Sequence, residues 1–108
     1  MNESIPSSGP NEGQAGSSIS LDVDLVASQL AAIRARIKSV VDQGGSSLEI
    51  DMAKVRMVDS MGIGLLVAAH NSLSRRGGAL RIKNLSDDLV KLFKSMRLDQ
   101  RFQLVTLG

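Results

Sequence analysis

Two neighbouring stretches, Ser47-Leu48-Glu49-Ile50-Asp51-Met52 and Val58-Asp59-Ser60-Met61-Gly62-Ile63-Gly64-Leu65-Leu66, decide the fold class of this chain. The first alternates apolar and polar residues, which places Leu48, Ile50 and Met52 on one face of a strand. In the second the period changes, and Ile63, Leu66, Val67, His70 and Leu73 repeat at helical spacing. That pattern ends at Arg75-Arg76-Gly77-Gly78, where two bases complement the negative helix end and glycine permits a left-handed turn. A strand therefore runs into a helix predicted over Ser60–Arg76.

The same alternation of periods extends in both directions. Upstream, Ile19-Ser20-Leu21-Asp22-Val23 predicts a short half-buried strand. Val26, Leu30, Ile33, Ile37 and Val40 then form one helical stripe, with Asp24 placed to cap its start and Gly44-Gly45 its stop. Downstream, Ala79–Lys83 predicts a third strand, and Ser86 before Asp87 and Asp88 reads as an N-cap with acids in the first turn. Leu89, Phe93 and Met96 make the apolar face of a third helix, and Phe102–Leu107 can add a final strand. Strand and helix in strict alternation predict an α/β domain with parallel pairings through right-handed crossovers.

Composition narrows the chemistry. A chain of 108 residues has room for one domain. It has no cysteine and one histidine, which excludes disulfides, thiolate catalysis and zinc cages and leaves any His-rich metal site poor. Its only aromatics are two Phe, too few for the stacking platforms that hold single-stranded nucleic acid. Residues 1–18 contain Pro6, Pro10, five Ser and a single branched aliphatic, Ile5, and are expected to be a disordered tail, with the domain spanning 19–108. The net charge of +2 is uneven: between Arg75 and Arg101 eight bases face three acids. This basic half reads as a solvated face or as a surface for an acidic partner or a membrane. No aromatic interleaves the bases, so direct nucleic-acid binding is not expected. The longest apolar run, Met61 to Ala69, is far short of the ~20 residues that span a bilayer. The first residues lack the basic and apolar regions of a secretory signal, and a cytoplasmic address is expected.

The chemistry concentrates at Asp59-Ser60. A polar pair before Gly62 and Gly64 sits at a helix N-terminus, where unpaired amides and the helix dipole accommodate an anion such as a phosphate on Ser60. Either Asp59 or Ser60 can equally be a simple N-cap, worth about 1 kcal/mol. Enzyme readings fail on the residues. Val67 stands where a dinucleotide fingerprint needs glycine, no Gly-Lys-Ser/Thr completes a phosphate loop, and Val58 stands where a nucleophile elbow needs glycine. His70 lies roughly 15 Å along the helix from Ser60 at 1.5 Å per residue, so no triad forms. It reads instead as a hydrogen-bonded boundary residue. No catalytic residue, metal or cofactor is expected.

The run Leu48-Glu49-Ile50-Asp51 … Val58-Asp59-Ser60-Met61-Gly62-Ile63-Gly64-Leu65-Leu66 resembles the signature of the STAS domain, the anti-sigma-factor antagonist family. Gly77-Gly78-Ala79-Leu80-Arg81-Ile82 and Val90-Lys91-Leu92-Phe93 … Met96-Arg97-Leu98 extend the resemblance. It implies a small, mostly parallel mixed sheet with helices packed mainly on one side. It also implies an anti-sigma factor serine kinase that phosphorylates Ser60 and a PP2C-type phosphatase that reverses the mark. The unphosphorylated form would sequester the kinase, with Asp59, Ser60, Met61, Gly62 and Asp22 as its contact residues and a monomer as the free state. The alternative within the family is a non-switching adaptor subunit of a lipid-trafficking transporter, or a module of a chemotaxis or two-component pathway. Two features depart from the family pattern: one strand, not two, precedes the first helix, and Met61 replaces the second Ser of the common pair, leaving Ser60 as the motif's one hydroxyl.

Overall fold

A computed structural model describes residues 16–105. Its strands are β1 (Gly16–Ser20), β2 (Ser47–Asp51), β3 (Leu80–Lys83) and β4 (Gln103–Val105), and its helices are α1 (Leu30–Asp42), α2 (Ser60–Ser74) and α3 (Asp87–Ser95). Short 3-10 turns occupy Ala27–Gln29 and Leu98–Gln100. The strands lie in chain order in one sheet and every pairing between them is parallel, which is the expected α/β architecture.

Alternation gives the sheet two unlike faces. Ile19, Ile50, Ile82 and Leu104 share one register line, and Leu48 lies opposite Leu80. The stripes of all three helices join these residues in one core: Leu30, Ile33 and Ile37, then Leu66, Ala69 and Leu73, then Leu89 and Phe93. Phe93 and Phe102 are both buried and meet edge-on at 6.4 Å between ring centroids, so truncating either to Ala would cost about 3–5 kcal/mol. On the opposite face the register lines carry Ser18, Glu49, Arg81 and Gln103, then Ser20, Asp51 and Lys83. Glu49 pairs there with Lys83 at 3.2 Å and Arg81 at 3.8 Å. The helices therefore cover one face and leave a polar, partly exposed one.

The second helix ends at Ser74, not Arg76, and the third strand starts at Leu80, not Ala79; three further boundaries differ for a physical reason. The first described strand is Gly16–Ser20, not Ile19–Val23, because pairing uses backbone groups and Gly16–Ser18 run beside Ser47–Glu49 whatever their side chains. These three residues, read as the end of the tail, belong to the sheet; residues 1–15 lie outside the described residues. Second, α1 starts at Leu30, not Val26. Val26 is extended (φ −128°, ψ 164°), and Asp24, expected to cap this helix, is bonded elsewhere; the capping position is Gln29, which makes no side-chain cap. Third, the last strand starts at Gln103, not Phe102, whose side chain is buried in the core; residues 106–108, on which the expected end falls, lie outside the described residues. The third helix starts as expected, with the Ser86 hydroxyl accepting from the Leu89 amide at 3.3 Å.

Because all the strands run the same way, the segments that follow β1, β2 and β3 gather at one edge of the sheet. Asp59 and Ser60 lie there.

Candidate functional site

The site is built from two crossing segments, residues 21–29 after β1 and residues 52–59 after β2. Met52, Val55 and Val58, at intervals of three, are buried and anchor the second segment, while Arg56 and Met57 between them are exposed. Leu25, fully buried, pairs with Val58 in a parallel bridge, donating to the Met57 carbonyl at 3.0 Å and accepting from the Asp59 amide at 3.2 Å. Two carboxylates lock this crossing from opposite sides. The Asp24 Oδ1 accepts from the amides of Arg56 (2.9 Å) and Met57 (3.3 Å). The Asp59 Oδ1 accepts from the Gly62 amide at 2.8 Å, capping α2, and its Oδ2 accepts from the Ala27 amide at 2.9 Å, at the start of the 3-10 turn that leads into α1. One carboxylate thus caps two helical starts.

This settles which residue of the Asp59-Ser60 pair is the cap. The Gly62 amide, reinforced by those of Ala27 and Met61, holds the Asp59 carboxyl below the usual carboxylate range, so it is charged at neutral pH. Ser60, the first residue of α2, is left out of the cap with its side chain exposed. Met61, next in sequence, is 57% exposed and Met57, three residues before, 60%, and among the described residues the Ser60 hydroxyl makes no side-chain hydrogen bond, so the exposed stretch holds a hydroxyl and two flexible apolar side chains.

The remaining predicted residues fall into two roles. Gly62 is buried, and a Cβ there would collide with the Leu25 carbonyl and stand 2.8 Å from its Cγ, so this glycine serves the crossing and presents no surface. Asp22 is exposed on the segment after β1. The structure therefore brings Ser60 and Met61 together on the surface with Asp59 half-buried beneath them, and puts Asp22 on the adjoining loop. Sequence reasoning missed Asp24, Leu25, Ala27 and Met57. The one available signal was the interval of three in Met52, Val55 and Val58, which turns Met57 outward.

A second carboxylate braces the edge. The Asp51 Oδ1 accepts from Asn84 Nδ2 (3.0 Å) and the Ala53 amide (2.9 Å), tying the ends of β2 and β3 together, and these bonds hold its carboxyl below the usual range. Asn84 supports this from a left-handed conformation, φ 63°. His70 is a half-buried boundary residue, with Nε2 3.5 Å from Ser74 Oγ and its ring edge-on to Phe102 at 5.7 Å. Among the described residues no group of three His, Cys, Asp or Glu is arranged to hold a metal ion, and no helix is long and apolar enough to cross a membrane.

Comparison with known proteins agrees with this fold. An anti-sigma-B factor antagonist of Bacillus subtilis (strain 168) is 29% identical over 83 residues, which cover 77% of this chain and 73% of that protein. Three solved structures share the fold, each matching 88% of this chain. A Thermotoga maritima protein proposed to be an anti-sigma factor antagonist superposes with a TM-score of 0.80 at 14% identity over 81% of its length. The anti-sigma factor antagonist SpoIIAA in its unphosphorylated form gives 0.65 over 81% of its length, and the Bacillus cell fate determinant SpoIIAA in the phosphorylated form gives 0.68 over 85%, both at 22% identity. The family model described as Mlab, STAS domain, matches residues 9–106. This chain belongs to the STAS domain family.

Proposed function

We propose that this protein is an anti-sigma factor antagonist switched by phosphorylation of Ser60. It acts as a binding module and not as a catalyst. The observation that carries the reading is the division of labour at α2: Asp59 makes the cap, and the Ser60 hydroxyl is left exposed between Met57 and Met61. The B. subtilis relative supports the antagonist role, and the phosphorylated SpoIIAA structure supports a phosphorylated state on this fold.

The switch follows from local charge. In the unphosphorylated form the exposed methionines and Ser60 pack against an anti-sigma factor serine kinase, with Asp22 at the side of the contact. The kinase transfers the γ-phosphoryl group of ATP to Ser60 Oγ, the hydroxyl proton leaves, and ADP is the second product. The new group carries about −1.5 to −2 charge at neutral pH. It stands next to the ionised Asp59, and this concentration of negative charge on a surface used for close contact releases the kinase. The fold survives because the cap belongs to Asp59 and not to the modified residue. A PP2C-type phosphatase restores the binding form.

Incubation with the cognate anti-sigma kinase and ATP should add about 80 Da, one phosphoryl group, to the wild type and nothing to Ser60→Ala. Absence of that addition in the wild type overturns the reading. The surplus of bases between Arg75 and Arg101 fits a second one, a non-switching adaptor subunit docked on an acidic surface of a transporter. Partner capture by Ser60→Asp as efficient as by Ser60→Ala would establish the adaptor in place of the switch.

A further inference from the structure

The long sides of α1 and α2 enclose an open groove of about 510 Å³, on a part of the molecule that the Ser60 reading does not use. Its floor is apolar: Ile37 comes from α1, and Leu65 and Ala69 from α2, each less than a tenth exposed. Ala68 and Ser72 on α2 are too small to fill the space between the helices. Along the rims stand Arg34, Lys38, Arg75 and Arg76, against a single acid, Asp42.

The charges differ in what they already do. Lys38 pairs with Asp42 at 2.8 Å within α1, which neutralises both. Arg76 donates to the Val41 carbonyl at 2.6 Å and so closes the end of the groove by joining the last turn of α1 to the end of α2. Arg34 and Arg75, both exposed, make no ion pair among the described residues. The groove is therefore a trough with an apolar floor and a surplus of positive charge on its rims.

We infer that this groove is a second docking site, and that its occupant is an acidic amphipathic helix of a partner protein. Shape and charge both select that occupant. The trough follows α1, whose 13 residues span roughly 20 Å at 1.5 Å per residue, a length matched by a helix of three to four turns. An apolar stripe on such a helix fills the floor over Ile37, Leu65 and Ala69, and carboxylates flanking the stripe meet Arg34 and Arg75, the helix-in-groove mode of recognition. A bilayer surface is too flat to follow the trough to its floor. The site runs from Leu65 along α2 and past its end to Arg76, beyond the first turn that carries Ser60, so it stands independently of the phosphorylation switch.

Titration of the 15N-labelled protein with a synthetic helical peptide of about 14 residues, leucine along one stripe and glutamate elsewhere, tests the site. Saturable shifts of amides in residues 34–42 and 65–76 are expected, with affinity reduced at least tenfold in the Arg34→Glu/Arg75→Glu variant. Arg76 is left intact because of its bond to Val41, and an unchanged amide spectrum away from the groove shows that the variant is folded. The inference is overturned by failure to saturate at millimolar peptide, by equal binding of a peptide with lysine in place of glutamate, or by full affinity in the charge-reversed variant. Phosphatidylglycerol vesicles that shift the same amides when the peptide does not would assign the groove to membrane instead.

Discussion

Two helices of this protein begin at the same edge of the sheet, each with a serine at its start, and they use that serine in opposite ways. At α3, Ser86 precedes the helix and its hydroxyl accepts from the Leu89 amide; Asp87 and Asp88 follow in the first turn, where they complement the helix dipole. The residue is consumed by folding. At α2 the carboxylate of Asp59 takes the capping position one residue earlier, so Ser60 is already helical and its hydroxyl is left out of the cap, with no side-chain hydrogen bond among the described residues. The difference shows how a helix start can leave a serine hydroxyl out of its cap: the cap sits on a neighbour, and the amide array and dipole remain.

The strongest way to break the α2 arrangement is through its two glycines, which look alike in sequence and differ in structure. Gly62→Ala drives a methyl group into the Leu25 backbone and should cost about 1–3 kcal/mol in urea unfolding, since the obstructing atoms belong to the main chain. Gly64→Ala should do the opposite. It is exposed within α2 and has nothing within 4 Å of its Cβ position, so the substitution should stabilise by about 0.5–1 kcal/mol. Four residues after Ser60, Gly64 lies on the same side of the helix, where it keeps the surface low beside the hydroxyl. A kinase that approaches closely there should phosphorylate Gly64→Ala at least several-fold more slowly despite its greater stability; an unchanged rate would show that this glycine serves neither fold nor partner.

The carboxylate cap is sensitive to pH, and its sign is fixed. Asp59 has a folded-state pKa below its unfolded value, first through the Gly62 amide and then through Ala27, so its contribution is fully present above the unfolded value of about 3.9 and is lost as pH falls through the folded one. Asp51 contributes in the same direction through Asn84 and Ala53. Unfolding free energy should therefore decline as pH is lowered from about 5, and the decline should be shallower but not absent in Asp59→Asn, where Asp51 still titrates. An unchanged slope in that variant would remove Asp59 from the cap. Asparagine can still accept from one amide, so the helix start itself survives the substitution.

What the sequence made legible divides along the same line as the two serines. The Ser86 cap is an interaction over three residues, and the residue types state it in order, acids included. The stripes of α1 and α2 and the alternation of β2 and β3 were equally plain, because each is a local period imposed by one buried face; of the expected α3 face Leu89 and Phe93 are buried, but the helix ends at Ser95 and Met96 beyond it is 48% exposed. Asp24 was not legible. It has the composition of a helix cap, but its partner Arg56 lies 32 residues away, and that contact exists only once β1 and β2 are paired. The second duty of Asp59, toward Ala27, is hidden for the same reason and at the same separation. Gly16–Ser18 escaped because strand pairing is made by backbone groups, and two serines after a glycine carry no period to read. At the site, residue type alone could not choose between Asp59 and Ser60, since both are good caps; the choice depends on which residue leaves the extended conformation first, and Asp59 is still extended at φ −99°, ψ 179°.

The smallest expected effect is also the most direct comparison of the two helix starts. Ser86→Ala removes the side-chain acceptor for the Leu89 amide and should lower stability by about 1 kcal/mol. Ser60→Ala removes an exposed hydroxyl that caps nothing, and the change should stay within about 0.5 kcal/mol of the wild type, the range of ordinary surface substitutions. Parallel urea titrations of the two variants read this difference, and a loss at Ser60 equal to that at Ser86 would mean that its hydroxyl is part of the cap. If the two losses separate as expected, Ser60 is retained for something other than folding. The phosphorylation assay on the same Ser60→Ala protein then tests what that is, in a variant whose fold has been shown to be intact.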